Sequence, residues 1–440
     1  MSTAPTKRLT DAVPSGTIPV GAALLVAGVA TYAFFKIGAV AVGGDDAFQP
    51  IVSMWFATFA LAPGFFLPLE QELARAISHR RATGQGAAPV VRKVVQLGAA
   101  LTITIATIIL LSGPLLVDEF FDGDWLLVIA LAGAFAAYAP AHLGRGVCSG
   151  NGRFRSYALI MGGDGVVRII LCVALAVIGV QRAGYFGLAI AVAPLFALAY
   201  VWRAGDLHND DGPPATWAEV TPNLGWLLIG ATCAAALLNA GPLAATILAE
   251  DGQEALVTEF SFGVLLARVP LFLFQAVQAA LLPKLSSLAA QGAFVEFRAG
   301  LRRLLLLVGA VGIIGTLGAL VLGPWIVELV YDAELSGRTM AALALGSAFY
   351  MVALALAQAV IALHGHALVA AGWVVSVIAF FLVTWLSSDD LFRRIELGLL
   401  GSSIAGLLCF AAALRHKLAQ GETPDQESVM EAITDMPFET

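Results

Sequence analysis

The chain has 440 residues, of which 59% are hydrophobic and 12% charged, and a formal net charge of −7. Soluble domains carry about 25% charged residues, so half that share over this length excludes an ordinary water-facing globular protein. The apolar residues come in blocks: Leu224–Ala249 holds no charge and is long enough to cross a hydrocarbon core of about 30 Å.

In lipid every backbone amide must be satisfied within its own segment or in a closed barrel. The ten-residue alternating stretches of a barrel are absent, so the expected fold class is an all-α polytopic membrane protein. Twelve transmembrane helices are expected in chain order, near 18–40, 51–70, 94–117, 126–146, 157–180, 184–202, 224–249, 260–283, 304–325, 339–362, 367–386 and 395–414. Ile18–Tyr32 has the apolarity of a signal-peptide core, but the eleven spans that follow favour a retained first helix.

With residues 1–17 placed in the cytoplasm, 17 of the 24 lysines and arginines fall on the inner side, four on the outer side and three inside spans. The positive-inside rule then sets both termini in the cytoplasm. The outer loops are acidic, with Asp45 and Asp46, Asp118 to Asp124, and Asp389 and Asp390. The longest internal loops are about 20 residues, at Gln71–Lys93, Arg203–Asn223 and Lys284–Arg303, and leave no room for a soluble catalytic domain. Residues 415–440 read as an acidic, disordered cytoplasmic tail.

The two halves resemble each other. Gly113-Pro114 through Phe121-Asp122 matches Gly323-Pro324 through Tyr331-Asp332 as G-P-x-x-V-[D/E]-x-x-[F/Y]-D, at a shift of 210 residues. The same shift carries Arg92-Lys93 onto Arg302-Arg303, and a shift of 213 relates Asn151-Gly152-Arg153 to His364-Gly365-His366. With six spans per half, both halves enter the membrane in the same direction. Such parallel repeats place substrate between the halves near the midplane. The expected organisation is an N-lobe at 18–202, a linker at 203–223 and a C-lobe at 224–414.

Ionisable groups at bilayer depth cost about 2.5–3.5 kcal/mol each and face a cavity or a partner. Arg268 lies about 12 Å into the eighth span by rise per residue, with no acidic residue within a turn. Two roles fit it: a structural arginine bonding carbonyls of another helix, or a cavity cation facing an anionic substrate. Pro270 and Pro283 are expected to leave backbone groups free near it. Arg168 follows Asp164 by four residues, a spacing at which the pair can neutralise itself. Lys36 sits toward the outer end of span one, as an anchor that snorkels or as a third cavity cation. Asn239, Gln275 and Gln278 suit either a cavity lining or helix–helix hydrogen bonds. Glu70 reads as a solvated helix end. Three deep cations against one deep acid, Asp164, favour an anionic substrate.

Cys148, Cys172, Cys233 and Cys409 show no redox or metal spacing, the six histidines form no metal motif, and no Walker A sequence occurs. No enzymatic activity, cofactor, metal site or nucleic-acid partner is expected.

Ser261-Phe262, Ala267-Arg268-Val269-Pro270 and Ala279 through Ser286 with Gly292 resemble the eighth span of the multidrug/oligosaccharidyl-lipid/polysaccharide (MOP) flippase superfamily. That pattern is closest to Wzx-type flippases of lipid-linked oligosaccharides and to lipid II flippases, and Arg145-Gly146, Gly150 through Phe154, Tyr157-Ala158, Asp164 and Arg168 resemble the loop between spans four and five and the start of span five in the polysaccharide branch. The resemblance implies a V of two six-helix lobes working by alternating access in the bacterial cytoplasmic membrane. It implies a polyprenyl-pyrophosphate-linked saccharide as cargo, moved for cell-envelope polysaccharide synthesis. Membrane lipids and envelope polysaccharide polymerases or glycosyltransferases would be its partners. Arg268 carries over to the family's span-eight arginine, Arg168 less directly, and Lys36 by role alone. Alternatives are a cation-coupled multidrug exporter of the same superfamily, a major-facilitator transporter (whose loop signature is missing from Gln71–Lys93), and a membrane scaffold of an envelope-synthesis complex.

Overall fold

The computed structural model describes residues 17–221, 224–250, 252–271, 274, 285, 288, 289 and 292–421. Among them the regular structure is entirely helical, and eleven helices are long and apolar enough to cross a membrane. The first half holds α1 (Thr17–Val42), α2 (Asp45–Ala82), α3 (Ala88–Leu111), α4 (Gly113–Phe120), α5 (Trp125–Gly150), α6 (Phe154–Ile178) and α7 (Ala183–Arg203). A short α8 (Trp217–Val220) lies in the linker. The second half holds α9 (Leu224–Leu248), α10 (Glu254–Ala267), α11 (Phe294–Tyr331), α12 (Gly337–Ala362), α13 (His366–Leu386) and α14 (Leu391–Gly421). The expected eighth span begins as α10 and runs on into residues that are largely outside those described, as are Gln275, Gln278, Pro283, residues 1–16 and residues 422–440.

Three helices outrun their expected spans. The loop expected at Gln71–Lys93 shrinks to a five-residue turn, because α2 continues to Ala82 as a helix with Arg80 and Arg81 in its last turn. A helix clear of the membrane stays helical where its apolar face is still covered: Leu73, Ala76 and Ile77 are buried. Similarly, α11 starts at Phe294 and α14 continues to Gly421.

The matched sequence motifs adopt matched backbone. Asp122 (φ 44°) and Asp332 (φ 59°) both take the left-handed conformation, and Phe121 and Tyr331 before them are both buried. In each half the motif glycine lies against the first turn of the next long helix, Gly113 on Trp125 and Gly323 on Met340. Asp124 and Ser336 then cap α5 and α12 by accepting backbone N–H groups. Beyond the caps the helices correspond at a shift of 212, not 213, since α5 to α12 is Trp125–Gly150 to Gly337–Ala362. The second half has two extra residues between its aspartate and its cap.

Within the first half, α5 packs on α2, α3 and α7, while α6 packs on α1 and α7. Within the second, α12 packs on α11 and α14, and α13 on α9 and α14. The main contact between the halves is α2 against α9. It is close enough at Gly64 that a Cβ would sit 2.5 Å from the Thr232 Cα.

Candidate functional site

Helix α2 is the spine of the site. Trp55 and Phe59 are one turn apart and share a face, and the Arg168 guanidinium stacks on both, 4.6 and 5.7 Å from their ring centroids. Phe56 is rotated about 100° from Trp55, and its ring faces Arg268 at 5.5 Å. One aromatic cluster on α2 therefore contacts Arg168 and Arg268, one buried arginine from each half.

Arg268 is 7% exposed and follows directly on α10. It donates through Nη1 to Asn239 Oδ1 at 3.2 Å and through Nη2 to the Leu238 carbonyl. That carbonyl is available because Pro242, four residues on, has no N–H to give it. The same device recurs on α2. Pro63 withholds a donor from the Phe59 carbonyl, which instead accepts from Asn239 Nδ2 at 3.0 Å. Asn239 thus bridges α2, α9 and Arg268, and it also donates to Ala235 O at 2.8 Å. The carbonyls taken by Arg268 and Asn239 are those that Pro242 and Pro63 free; Pro283, expected to act with Pro270, lies outside the described residues. No carboxylate pairs with Arg268 among the described residues.

In the first half, Arg168 (2% exposed) lies 3.5 Å from Asp164 Oδ2, which also accepts from the Tyr138 hydroxyl at 3.0 Å. Asp164 Oδ1 and Arg168 Nε have no hydrogen-bond partner among the described residues. Lys36 is half-buried on α1, with no ion pair among the described residues.

The two ends of the molecule differ. At the end with the acidic loops the halves are bonded together. Ser53 and Gln49 on α2 meet Thr246 on α9 at 3.1 and 3.3 Å, Thr258 donates to the Asp45 carbonyl, and Tyr32 to the Leu265 carbonyl. Toward the end with the basic loops a cleft of about 220 Å³ lies between α2, α9, α12 and α13, from Leu238 and Tyr350 to Gln71, Gln358 and His366. Leu238 and Tyr350 also line a smaller chamber of about 30 Å³, into which Arg268 faces with Ser347 and Ser403. Arg168 and Lys36 line neither cavity.

Glu70 is not the solvated helix end that the sequence pointed to. It is 4% exposed, and its carboxylate accepts from Arg145 Nε and Nη2 (3.1 and 2.9 Å) and from Tyr157 (3.0 Å), with His142 Nδ1 at 2.8 Å. The linker is likewise docked on the first half. Arg80, 2% exposed, holds Glu219 through two bonds (2.6 and 2.9 Å) and the Pro213 carbonyl, while Arg92 pairs with Asp211 at 2.6 Å. At the opposite end, Asp124 joins Arg182 at 2.7 Å and accepts from the Leu126 and Gly184 amides. Partial burial raises its pKa, but the Arg182 bond and the two amides outweigh that and hold the carboxyl below its usual range.

No family model matches the chain. Relatives in sequence include the uncharacterized protein Rv1510 of Mycobacterium tuberculosis, 27% identical over 391 residues, which cover 83% of this chain and 84% of that protein. The uncharacterized protein Mb3654 of Mycobacterium bovis is 27% identical over 390 residues, with 82% and 84% covered. In fold, the chain is similar to a MATE transporter of Vibrio cholerae, with TM-score 0.66, 17% identity, and 91% of this chain and 97% of that one covered. It is also similar to a multidrug resistance MATE family transporter of the MOP superfamily in an inward-facing conformation, with TM-score 0.68, 14% identity, and 92% and 96% covered. This is a multi-pass helical membrane protein with the MATE transporter fold.

Proposed function

We propose that the chain is an alternating-access transporter that moves an anionic lipid head group, a polyprenyl-pyrophosphate-linked saccharide, across the cytoplasmic membrane for cell-envelope polysaccharide synthesis. In this reading the basic loops and both termini face the cytoplasm, the lobes are 18–202 and 224–414, and the cleft at the basic-loop end is the inward opening.

The observation that carries the reading is the environment of Arg268. Among the described residues, a guanidinium buried at bilayer depth is held by neutral acceptors, the Leu238 carbonyl and the Asn239 amide, and faces a chamber beside the cleft. No carboxylate among the described residues compensates its charge, so an incoming diphosphate would supply the counter-charge in a low dielectric. A planar guanidinium offers two parallel N–H bonds to phosphate oxygens. The carbonyl and amide that hold it meanwhile are exchanged for phosphate at little cost. Arg168 and Lys36 would supply positive potential along the path. The test is vesicle reconstitution: exposure of a lipid-linked saccharide on the trans leaflet should fall at least tenfold with Arg268→Ala and partly return with Arg268→Lys.

One observation favours a second reading, a cation-coupled multidrug exporter. Asp164 is a membrane-depth carboxylate with an oxygen that lacks a partner among the described residues, as a site for a coupling ion requires. Transport of a lipophilic cation that is lost in Asp164→Asn and kept in Arg268→Ala would establish it.

A further inference from the structure

The repeat that relates the two halves extends to the segments that follow them. In the first half the segment after α7 is the linker, and it lies across that half's own basic end. Arg92 pairs with Asp211 at 2.6 Å, the Lys93 ammonium lies 4.3 Å from the centre of the Trp217 ring, and the Asp210 carbonyl accepts from the Ala88 amide at 3.0 Å. On the way the linker crosses the α5–α6 turn, where Asn151 donates to Asn209 at 2.9 Å and Arg153 to the Asp206 carbonyl. The Thr216 hydroxyl accepts from the Glu219 amide and caps the single turn of α8.

In the second half Arg302 and Arg303 stand where Arg92 and Lys93 stand in the first, near the start of α11. Both are exposed, and neither has an ion pair among the described residues. The segment after α14 holds six acids (Glu422, Asp425, Glu427, Glu431, Asp435 and Glu439) and no lysine or arginine. The linker's signature recurs in it. Asp211-Gly212-Pro213 matches Glu422-Thr423-Pro424 at a shift of 211, and Thr216-x-x-Glu219 matches Ser428-x-x-Glu431 at 212. The starting point is also equivalent, because the end of Lys417 lies 3.6 Å from where a Cβ on Gly365 would sit, against the α12–α13 turn. Residues 422–440 extend to about 60 Å at about 3.3 Å each, enough to follow the linker's course.

We propose that residues 422–440 dock their carboxylates on Arg302 and Arg303 at the basic-loop end of the second half, as the linker docks on Arg92 and Lys93 in the first. The two attachments differ in strength. The linker is clamped by the buried Arg80, which bonds Glu219 twice, whereas the residue 210 positions after Arg80 is Ala290. Without such a clamp the tail is held by exposed ion pairs, which contribute little one at a time and are screened by salt. The tail is then a releasable strap where the linker is a fixed one.

The experiment is limited digestion of the full chain in a zwitterionic detergent by a glutamate-specific endoproteinase, with a synthetic peptide of residues 421–440 digested alongside and the cuts located by mass spectrometry. At low salt, cleavage after Glu427 and Glu431 should be roughly tenfold slower in the chain than in the peptide, since cleavage follows the undocked population. Arg302→Gln combined with Arg303→Gln should bring the chain to within about twofold of the peptide, and so should salt at about 0.5 M in the wild type. Cleavage after Glu219 that stays slow in the double variant shows that its first half is still folded. A tail cut as fast as the peptide in the wild type, or cut equally slowly with and without the two arginines, overturns the proposal. Protection that disappears when phosphatidylglycerol is added to the micelles overturns it in favour of lipid head groups on Arg302 and Arg303. Protection that fades on dilution of the protein overturns docking within one chain in favour of a second copy.

Discussion

Pro242 leaves the carbonyl of Leu238 without its helical donor, and it is this carbonyl that Arg268 takes. A buried arginine has been accommodated by an opening in a neighbouring helix, not by an acid. The arrangement is neutral to rearrangement in a way that an ion pair is not, since leaving a carbonyl costs less than separating buried charges. On the proposed reading, that suits a group which exchanges partners during a transport cycle.

Replacing Pro242 by alanine restores the amide that competes for the Leu238 carbonyl. Helix α9 should become straighter and the protein more stable, since proline inside a helix costs about 3 kcal/mol, while Arg268 loses a partner. The expected outcome is a raised melting temperature in detergent together with slower transport. A Pro242→Ala protein that melts lower and transports normally would contradict this role.

Asn239 joins both halves of the molecule to Arg268. Asn239→Leu keeps the side-chain volume but strands the Phe59 carbonyl and part of the guanidinium. A loss of about 1–3 kcal/mol is expected, read by thermal unfolding in detergent, with activity reduced beyond what the lost stability explains.

The Glu70 carboxylate ties α2 to α5 and α6 through Arg145 and Tyr157. Removing one partner of a buried pair costs about 3–5 kcal/mol, because the other charge is left uncompensated. Glu70→Ala should therefore be among the most destabilising substitutions in the first half. The double variant Glu70→Ala with Arg145→Met should recover much of the loss in the same melting assay.

The linker's attachment predicts a protease phenotype. With Arg80→Ala, Glu219 and the Pro213 carbonyl lose their shared donor. Cleavage after Glu219 by a glutamate-specific endoproteinase should accelerate at least tenfold, with the helical content of the rest unchanged by circular dichroism.

Asp124 sets the expected pH dependence at the acidic-loop end. Its pKa is lowered on folding, so its contribution is fully present above the ordinary aspartate value of about 4 and is lost as pH falls through the lower folded value. Hydrogen exchange at the first turns of α5 and α7 should quicken below about pH 4 in the wild type. Asp124→Asn should flatten that acid response.

Much of the architecture could be read from sequence because lipid imposes length and apolarity on every span, and because the repeat motif repeats its backbone strain at Asp122 and Asp332. The Arg268–Asn239 pairing was half legible, since both residues stood out as polar groups in apolar runs, but their partners come from residues 30 positions away and from α2. The aromatic spine of α2 was missed because Trp55, Phe56 and Phe59 look like ordinary membrane residues; their spacing, one turn plus a neighbour, was the available signal. Glu70 was misread, and the docking of the linker was missed, for a different reason. Hydropathy marks where a span leaves the membrane but not where protein packing ends, and both lie in the packed region beyond it.

The most direct measurement is trans-leaflet exposure of a polyprenyl-diphosphate-linked saccharide in vesicles carrying the wild type, Arg268→Ala or Asp164→Asn, each matched for folded protein. The account predicts rapid exposure with the wild type and a loss of at least tenfold with Arg268→Ala, with Asp164→Asn much less affected. Exposure that is the same with and without the Arg268 guanidinium, or no exposure above empty vesicles, would contradict it.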